Sequence, residues 1–405
     1  MSSSPYSGFG SGRWLAARLS LMHGLNFVGI GFYLPFFPVW LGAKGLSDVE
    51  IGYVLAVPIL VRVLAASWIT GLADRRIPPV LLLALLNACA AAAYYTLSRL
   101  EGLVPIALVT TLAAVALSGV VPLADILTTT QVRAGRLRDY GRVRLWGSVT
   151  FVLGNLAGGY LVARHGAWPI PLVLAGCSLM AALAALQAPP PPPATAAAAG
   201  GQGAAVRGFS TTFWLAVTAA ACVNATHAAL YAFGSLHWRS LGFSDERIGF
   251  LWAIAVVAEI GVFLFAGGIA ARGVGGLRWT VIAAMAAALR FGLMAFDPGF
   301  AFTIGLQLLH GVSFACAHLG ALAAVSALAP EARRAAAQGR LVAVGALAMG
   351  TLTVLAGYLY RLLGPGVFLA MVPVALVGAG LAALAIAGLR GDTGRGATDS
   401  IARGR

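Results

Sequence analysis

The sequence contains few charged residues and almost no lysine. Charged side chains make up 10% of its 405 residues and hydrophobic side chains 60%, and Lys44 is the only lysine. Soluble domains carry about 25% charged residues, so a protein of this composition could not cover a surface that faces water. The scarcity of charge therefore predicts an integral membrane protein whose main partner is the lipid bilayer.

Cysteine is also scarce, and the sequence lacks the common catalytic, nucleotide-binding and metal-binding motifs. Cys89, Cys177, Cys222 and Cys316 all fall within apolar stretches and show no metal-ligand spacing, which is typical of packing residues. The sequence has no Walker loop, metal-binding cluster or nucleophile elbow. We therefore expect no enzyme, no cofactor and no metal. Since no ATP-binding segment is found, any transport should draw its energy from an ion gradient.

Twelve apolar stretches are long enough to cross a bilayer, which takes ~20 helical residues. Their approximate bounds are 14–41, 50–72, 79–98, 103–128, 145–163, 167–187, 210–240, 247–271, 277–296, 300–328, 338–361 and 366–389. A proline run and an Ala/Gly stretch separate the sixth span from the seventh and predict a linker. We predict an all-α protein with an N-terminal six-helix bundle (1–187), a cytoplasmic linker (188–209), a C-terminal six-helix bundle (210–390) and a cytoplasmic tail (391–405).

The net charge of +14 does not indicate nucleic acid, because the basic residues lie in short loops between the spans. If the N-terminus is cytoplasmic, nineteen loop or tail cations lie inside and six outside, which is a strong positive-inside bias. Both termini are then cytoplasmic. We expect a multi-pass protein of a bacterial cytoplasmic (inner) membrane, and we expect a monomer.

The two predicted halves share short sequences at a nearly constant spacing. Residues 45–52 and 242–249 agree at five of eight positions, and the Gly-Arg pair at 141–142 recurs at 339–340. A single match could arise by chance, since Ser and Asp favour helix N-termini. Two matches in register, with the linker between them, favour duplication. Six spans plus six in parallel orientation is typical of transporters that bind solute at the midplane between the halves.

Several motifs resemble the major facilitator superfamily. Residues 71–76 are similar to its signature between the second and third spans, with Thr70 replacing the first glycine. Residues 33–38, 139–148, 309–311 and His318 resemble the phenylpropionate-permease-like branch, which is related to the lactose-permease and nucleoside symporters. The resemblance covers essentially the whole chain and implies proton-coupled uptake of an organic acid such as an aromatic carboxylate.

Other functions remain open at this point. A sugar or nucleoside symporter, or a drug efflux carrier, would share the same fold. A sensor or assembly factor that transports nothing would not need polar residues near the midplane, yet both halves have them.

Four charged residues lie within the spans, where ionisable groups are costly and usually line a cavity. Arg62 and Glu259 are 197 residues apart, the spacing of the repeat (242 − 45), and both fall near mid-membrane. We predict that they line the central cavity, Arg62 binding an anion and Glu259 a proton or substrate; a structural ion pair is the alternative. Arg290 is suited to bind a carboxylate or, alternatively, to extend to the interface. Asp125 is predicted to pair with Arg133 at the inner gate.

Four histidines lie well inside the spans, away from the span ends, and histidine titrates near physiological pH. His23, His227, His310 and His318 are therefore candidates for proton or substrate binding, together with Asn26, which shares a helix face with His23. In lactose-permease-like symporters an acid, an arginine and a histidine in spans eight, nine and ten cooperate in proton coupling. The resemblance assigns these roles to Glu259, Arg290 and His310.

The inner loops carry a predicted gating pair. Asp74, followed by Arg75, is expected to face a basic residue across these loops, and Arg142 and Arg144 are the candidates. Such a pair would stabilise one conformation relative to the other.

Overall fold

The computed structural model describes residues 9–75, 77–188, 208–271 and 275–402, without the side chains of residues 9–11, 67, 73–75, 270–271 and 390–402. Within this part of the chain the regular structure is helical throughout. The chain divides into two units, unit 1 (Met1–Ala198 with Trp238–Ala253) and unit 2 (Ala199–His237 with Ile254–Arg405).

The helices before the linker are α1 (Phe9–Ala43), α2 (Asp48–Arg75), α3 (Pro79–Leu97), α4 (Leu103–Ser118), α5 (Val120–Arg133), α6 (Tyr140–His165) and α7 (Ile170–Leu186). Those after it are α8 (Thr211–Ala225), α9 (Ala228–Ser240), α10 (Asp245–Ala271), α11 (Arg278–Met294), α12 (Phe300–Leu328), α13 (Arg334–Leu363), α14 (Gly366–Leu369) and α15 (Met371–Ala402). A short 3₁₀ helix, Glu331–Arg333, precedes α13.

Ten stretches among the described residues are long and apolar enough to cross a membrane. Four of them join consecutive helices: α4 with α5, α8 with α9, the 3₁₀ helix with α13, and α14 with α15. The remaining two predicted spans coincide with α7, a shorter apolar helix, and α11, which has 17 residues. A multi-pass membrane protein is therefore confirmed, and the count of twelve spans stays a prediction.

The loops at the two repeated sequences have the same conformation. Gly45 and Gly242 both have φ of +80°, which glycine adopts without the clash that a Cβ causes. The next helix is then capped by a serine: Ser47 Oγ accepts from the backbone N–H of Glu50, and Ser244 Oγ accepts from that of Arg247, both at 3.4 Å. The shared residues thus encode the same turn and helix start twice.

Helix packing repeats in the same way. In unit 1, α1 packs on α6 and α7, and α3 packs on α4 and α7. In unit 2, α8 packs on α13 and α15, and α11 packs on α12 and α15. A duplicated unit would produce these four corresponding pairs. The domain boundaries taken from the sequence remain a prediction, because the contacts group residues 238–253 with unit 1.

The start of α10 joins unit 1 through glycine contacts with α6. A Cβ on Gly159 would lie 2.5 Å from the Asp245 carbonyl oxygen, and one on Gly249 would lie 3.2 Å from the Gly159 Cα and closer still to the Asn155 carbonyl. Backbones can approach this closely only where side chains are absent.

We expect Gly249→Ala to destabilise the protein, because its methyl group would overlap the α6 backbone. Overpacking of this kind costs about 1–3 kcal/mol, and thermal unfolding in detergent would measure it. Gly261→Ala on the same helix is the control, since nothing lies within 4 Å of its added Cβ. Equal melting temperatures for the two variants would contradict the close α6–α10 contact.

Candidate functional site

Unit 2 contains a fully buried arginine that has no acidic partner. The Arg290 side chain on α11 has 0% exposure, and no carboxylate within the described part of the chain lies within 4.0 Å of it. Its Nε donates to the Leu306 carbonyl at 2.9 Å and its Nη2 donates to Gln307 Oε1. Nη1 is buried without a hydrogen-bond partner. Since a buried charge is costly unless it is paired, this guanidinium is suited to bind an anion.

His227 stands where α8 gives way to α9. The α8 helix ends at Ala225 and α9 begins at Ala228, and between them the Thr226 hydroxyl donates to the Val223 carbonyl at 2.6 Å. The resulting break lets His227 Nδ1 reach the Asn224 carbonyl at 3.1 Å, while Nε2 lies 3.2 Å from Ser313 Oγ on α12. The imidazole is fully buried.

The Ser313 hydroxyl allows His227 to be held in either protonation state. This hydroxyl also lies 3.1 Å from the His310 carbonyl, to which it can donate. Nδ1 donates to the Asn224 carbonyl in both states. Neutral His227 then accepts the Ser313 proton at Nε2, whereas protonated His227 donates from Nε2 while the serine turns to the His310 carbonyl. Rotation of one hydroxyl group therefore accommodates a proton.

Aromatic rings surround these polar groups. The His227 ring centroid lies 5.0 Å from His310, 5.5 Å from Phe291 and 5.9 Å from Phe314. The Arg290 guanidinium lies 5.0 Å from the Phe291 ring centroid, in cation–π contact. A cation among aromatic rings suits a ligand that has both a carboxylate and an apolar ring.

Glu259 lies half-buried on α10 of the same unit. Tyr231 on α9 interacts electrostatically with both Glu259 and Arg290, so the three residues share one neighbourhood. Gly311 brings α12 against α10, because a Cβ there would lie 2.6 Å from the Ala258 backbone. Unit 2 therefore brings together Glu259, Arg290, His310 and His227 of the predicted site, in a group that we call the Arg290 cluster.

Unit 1 has a second polar group on α1, α5 and α6. His23 is buried, and its Nε2 lies 2.9 Å from Thr128 Oγ1. The Tyr140 hydroxyl donates to Asp125 Oδ1 at 2.8 Å, and the expected Asp125–Arg133 ion pair is absent from the described residues. Tyr140 takes this place because it opens α6, just after the Asp139 cap. The Arg144 guanidinium lies 4.0 Å from the ring centroid of Phe27.

The other predicted residues are placed separately. Arg62 is exposed on α2, and His318 is exposed on α12 with its ring edge-on to Phe263 at 5.9 Å. Asn26 Nδ2 donates to the Met22 carbonyl at 2.8 Å, which leaves its buried Oδ1 without a partner. Arg142 is exposed. The side chains of Asp74 and Arg75 lie outside the described residues, so the gating pair stays a prediction.

Polar residues that lie beside the predicted ones but were not themselves predicted include Gln307, Ser313, Tyr231, Thr128 and Tyr140. The sequence did contain a signal for the first two. Gln307, His310 and Ser313 are spaced by three residues along α12, which places them on one face. Tyrosines of apolar helices carry no comparable signal, because their rings pack equally well without a hydroxyl partner.

The helices and the buried polar clusters are those of a multi-pass membrane protein. Residues 16–370 match the MFS_1 like family, and the chain belongs to that family. It is 33% identical over 384 residues to a probable 3-phenylpropionic acid transporter of Escherichia coli (strain K12), covering 90% of this chain and 96% of the relative. It is 29% identical over 358 residues to the maltose permease of Geobacillus stearothermophilus, covering 86% and 89%. The predicted family is confirmed.

Solved transporter structures share the fold. The nucleoside transporter NupG superimposes with a TM-score of 0.75 at 18% identity, over 92% of this chain and 98% of that one. A bacterial homolog of the human lysosomal transporter Spinster superimposes with a TM-score of 0.70 at 16% identity, over 95% and 97%. The relatives are transporters rather than enzymes, which supports secondary transport by this chain.

We expect Tyr140→Phe to destabilise unit 1, because Asp125 would lose a hydrogen bond in a half-buried position. Losing the hydrogen-bond partner of such a group costs about 1–3 kcal/mol. Thermal unfolding in lipid nanodiscs would measure this loss of stability. Tyr160→Phe on the same helix is the control, because its ring is exposed and surface changes stay within about 0.5 kcal/mol. A Tyr140→Phe variant as stable as this control would show that the hydrogen bond contributes little.

Proposed function

We propose that the chain is a secondary active transporter that takes up a small organic acid, such as an aromatic carboxylate, together with protons. Transport is by alternating access, in which the solute site opens to one side of the membrane at a time. The chain crosses the cytoplasmic membrane twelve times with both termini inside, as the distribution of its basic loop residues indicates, and it acts as a monomer.

Arg290 is the observation that carries this proposal. Its guanidinium is fully buried, hydrogen-bonded only to neutral acceptors, and has an unpaired Nη1. A carboxylate would supply both the missing acceptor and the missing negative charge, in the bidentate geometry that arginine favours. A neutral solute would leave the buried charge uncompensated.

The rings beside Arg290 favour an aromatic acid over an aliphatic one. The rings of Phe291, Phe314 and His310 each lie within 6 Å of the His227 ring. Aromatic pairs at such distances add about 0.5–1.5 kcal/mol beyond the area that they bury. The similarity to a probable 3-phenylpropionic acid transporter points the same way.

Proton coupling follows from charge compensation within the Arg290 cluster. Without a bound anion, the charge of Arg290 would repel a second positive charge beside it, and this repulsion is strong in a medium of low dielectric constant. A bound carboxylate removes that repulsion, so the anion and the proton favour each other's binding. We place the coupling protons on Glu259 and on His227. The contact between His227 and Ser313 accommodates both the neutral and the protonated imidazole.

A carrier of a neutral sugar or nucleoside is the second candidate, favoured by the similarity to a maltose permease and to NupG. The two candidates differ in what Arg290 binds. Uptake of carboxylates by proteoliposomes, compared with maltose and nucleosides and measured with and without a pH gradient, tests between them.

We expect Arg290→Gln to abolish carboxylate uptake and Arg290→Lys to lower its kcat/KM by about 10- to 100-fold, the value of one charge-assisted hydrogen bond. Lysine keeps the positive charge but cannot form the two parallel hydrogen bonds with which arginine binds a carboxylate. Arg361→Gln, an exposed arginine of the same unit, is the control and should leave uptake unchanged. Normal carboxylate uptake by Arg290→Gln would rule out this anion site.

We expect Glu259→Gln and His227→Gln to lose accumulation driven by a pH gradient but to keep counterflow, because exchange of bound solute needs no net proton movement. Radiolabelled substrate in proteoliposomes measures both modes. Glu246→Gln, on the exposed side of α10, is the matched control. Full accumulation in both site variants would remove these residues from the coupling scheme.

A further inference from the structure

Gln307 holds the Arg290 guanidinium in place and also leaves its charge unpaired. Gln307 lies on α12 with 0% exposure, and its Oε1 accepts the hydrogen bond from Arg290 Nη2. The Leu306 carbonyl, one residue earlier, accepts from Nε at 2.9 Å. Two consecutive residues of α12 thus fix the plane of a side chain that belongs to α11.

The position of Gln307 is the one where an ion-pair partner would be expected. Buried arginines are usually paired with a carboxylate, since an unpaired buried charge is costly. Glutamine has nearly the same shape as glutamate but no charge. At this position it supplies the geometry of a salt bridge without the charge, so the compensating negative charge must come from elsewhere.

The unpaired donors show where that charge would bind. Guanidinium groups have five N–H donors, of which Gln307 and Leu306 use two on Nη2 and Nε. Both N–H groups of Nη1 are buried without an acceptor. Because two hydrogen bonds hold the Nε and Nη2 edge of the guanidinium, the direction of the Nη1 N–H groups is set as well.

We propose that Gln307 is the residue that determines selectivity for anions: it positions Arg290 while leaving its charge for the carboxylate of the substrate. This inference rests on the proposed function, since it names what makes the Arg290 site select an anion. Gln307 acts through Arg290 and is therefore a positioning residue.

A single isosteric substitution tests the proposal. Gln307→Glu would place a carboxylate against Arg290 Nη2 and compensate its charge within the protein. We expect the affinity for 3-phenylpropionate to fall at least 10-fold, while the affinity for 3-phenylpropanamide, its neutral analogue, stays constant or rises. Competition binding to purified protein in nanodiscs would give both values, and their ratio is the decisive quantity.

The chain offers a closely matched control in the other unit. Gln131 on α5 is 1% exposed, and its Oε1 lies 3.5 Å from Arg136 Nη1, so Gln131→Glu makes the same change beside another arginine. This control should bind both compounds like the wild type. An unchanged acid-to-amide ratio in Gln307→Glu, with wild-type binding by the control, would overturn the proposal.

A second variant keeps the test decisive if Gln307→Glu does not fold. Gln307→Asn stays neutral but is one methylene shorter, so it would no longer reach Nη2. We expect weaker binding of 3-phenylpropionate with no gain for the amide, and wild-type affinity for the acid would count against a positioning role. If the wild type bound the amide but not the acid, the proposed function itself would fail, a result distinct from failure of Gln307.

Discussion

The lack of hydrogen-bonding partners in the lipid core of the membrane is the constraint on which the rest of the structure depends. Every polar group in a membrane span must find its partner within the protein or its ligand, because lipid offers none. Most groups here do so locally: Thr128 donates to the Ala124 carbonyl and Asn87 to the Leu83 carbonyl, one turn back along their helices. Arg290 does not: its hydrogen bonds reach another helix, α12, and its Nη1 has no partner among the described residues.

The Arg290 cluster exists because three local features of unit 2 coincide. The α8 helix ends just before His227, whose Nδ1 reaches the Asn224 carbonyl. Gly311 removes the side chain that would keep α12 from α10. The polar residues Gln307, His310 and Ser313 lie on one face of α12, and Ser313 contacts His227 at the junction of α8 and α9. Each feature is short-range, yet together they gather side chains from α9, α10, α11 and α12.

Much of this architecture could be predicted from sequence because it depends on composition and periodicity. The positions of the spans follow from apolar length, and the capped loops at Gly45 and Gly242 follow from residues whose preferences are local. The partners of Asp125 and Arg290 could not be predicted. Asp125 pairs with Tyr140 and not Arg133, and Arg290 pairs with Gln307 and not a carboxylate. Which residues meet depends on how helices distant in sequence are rotated against each other, and hydropathy does not encode that rotation.

The repeat conserves the scaffold but not the chemistry. Equivalent loops and caps recur at Gly45 and Gly242 and equivalent helix pairs recur in the two units, whereas the equivalent positions 62 and 259 carry opposite charges. Unit 1 satisfies Asp125 with a tyrosine, while none of the described carboxylates lies within 4.0 Å of Arg290 in unit 2. Duplicated packing requires only small residues and apolar faces to recur, so polar side chains could diverge at little cost in stability. The unit whose charge is unsatisfied is the one suited to bind an anion.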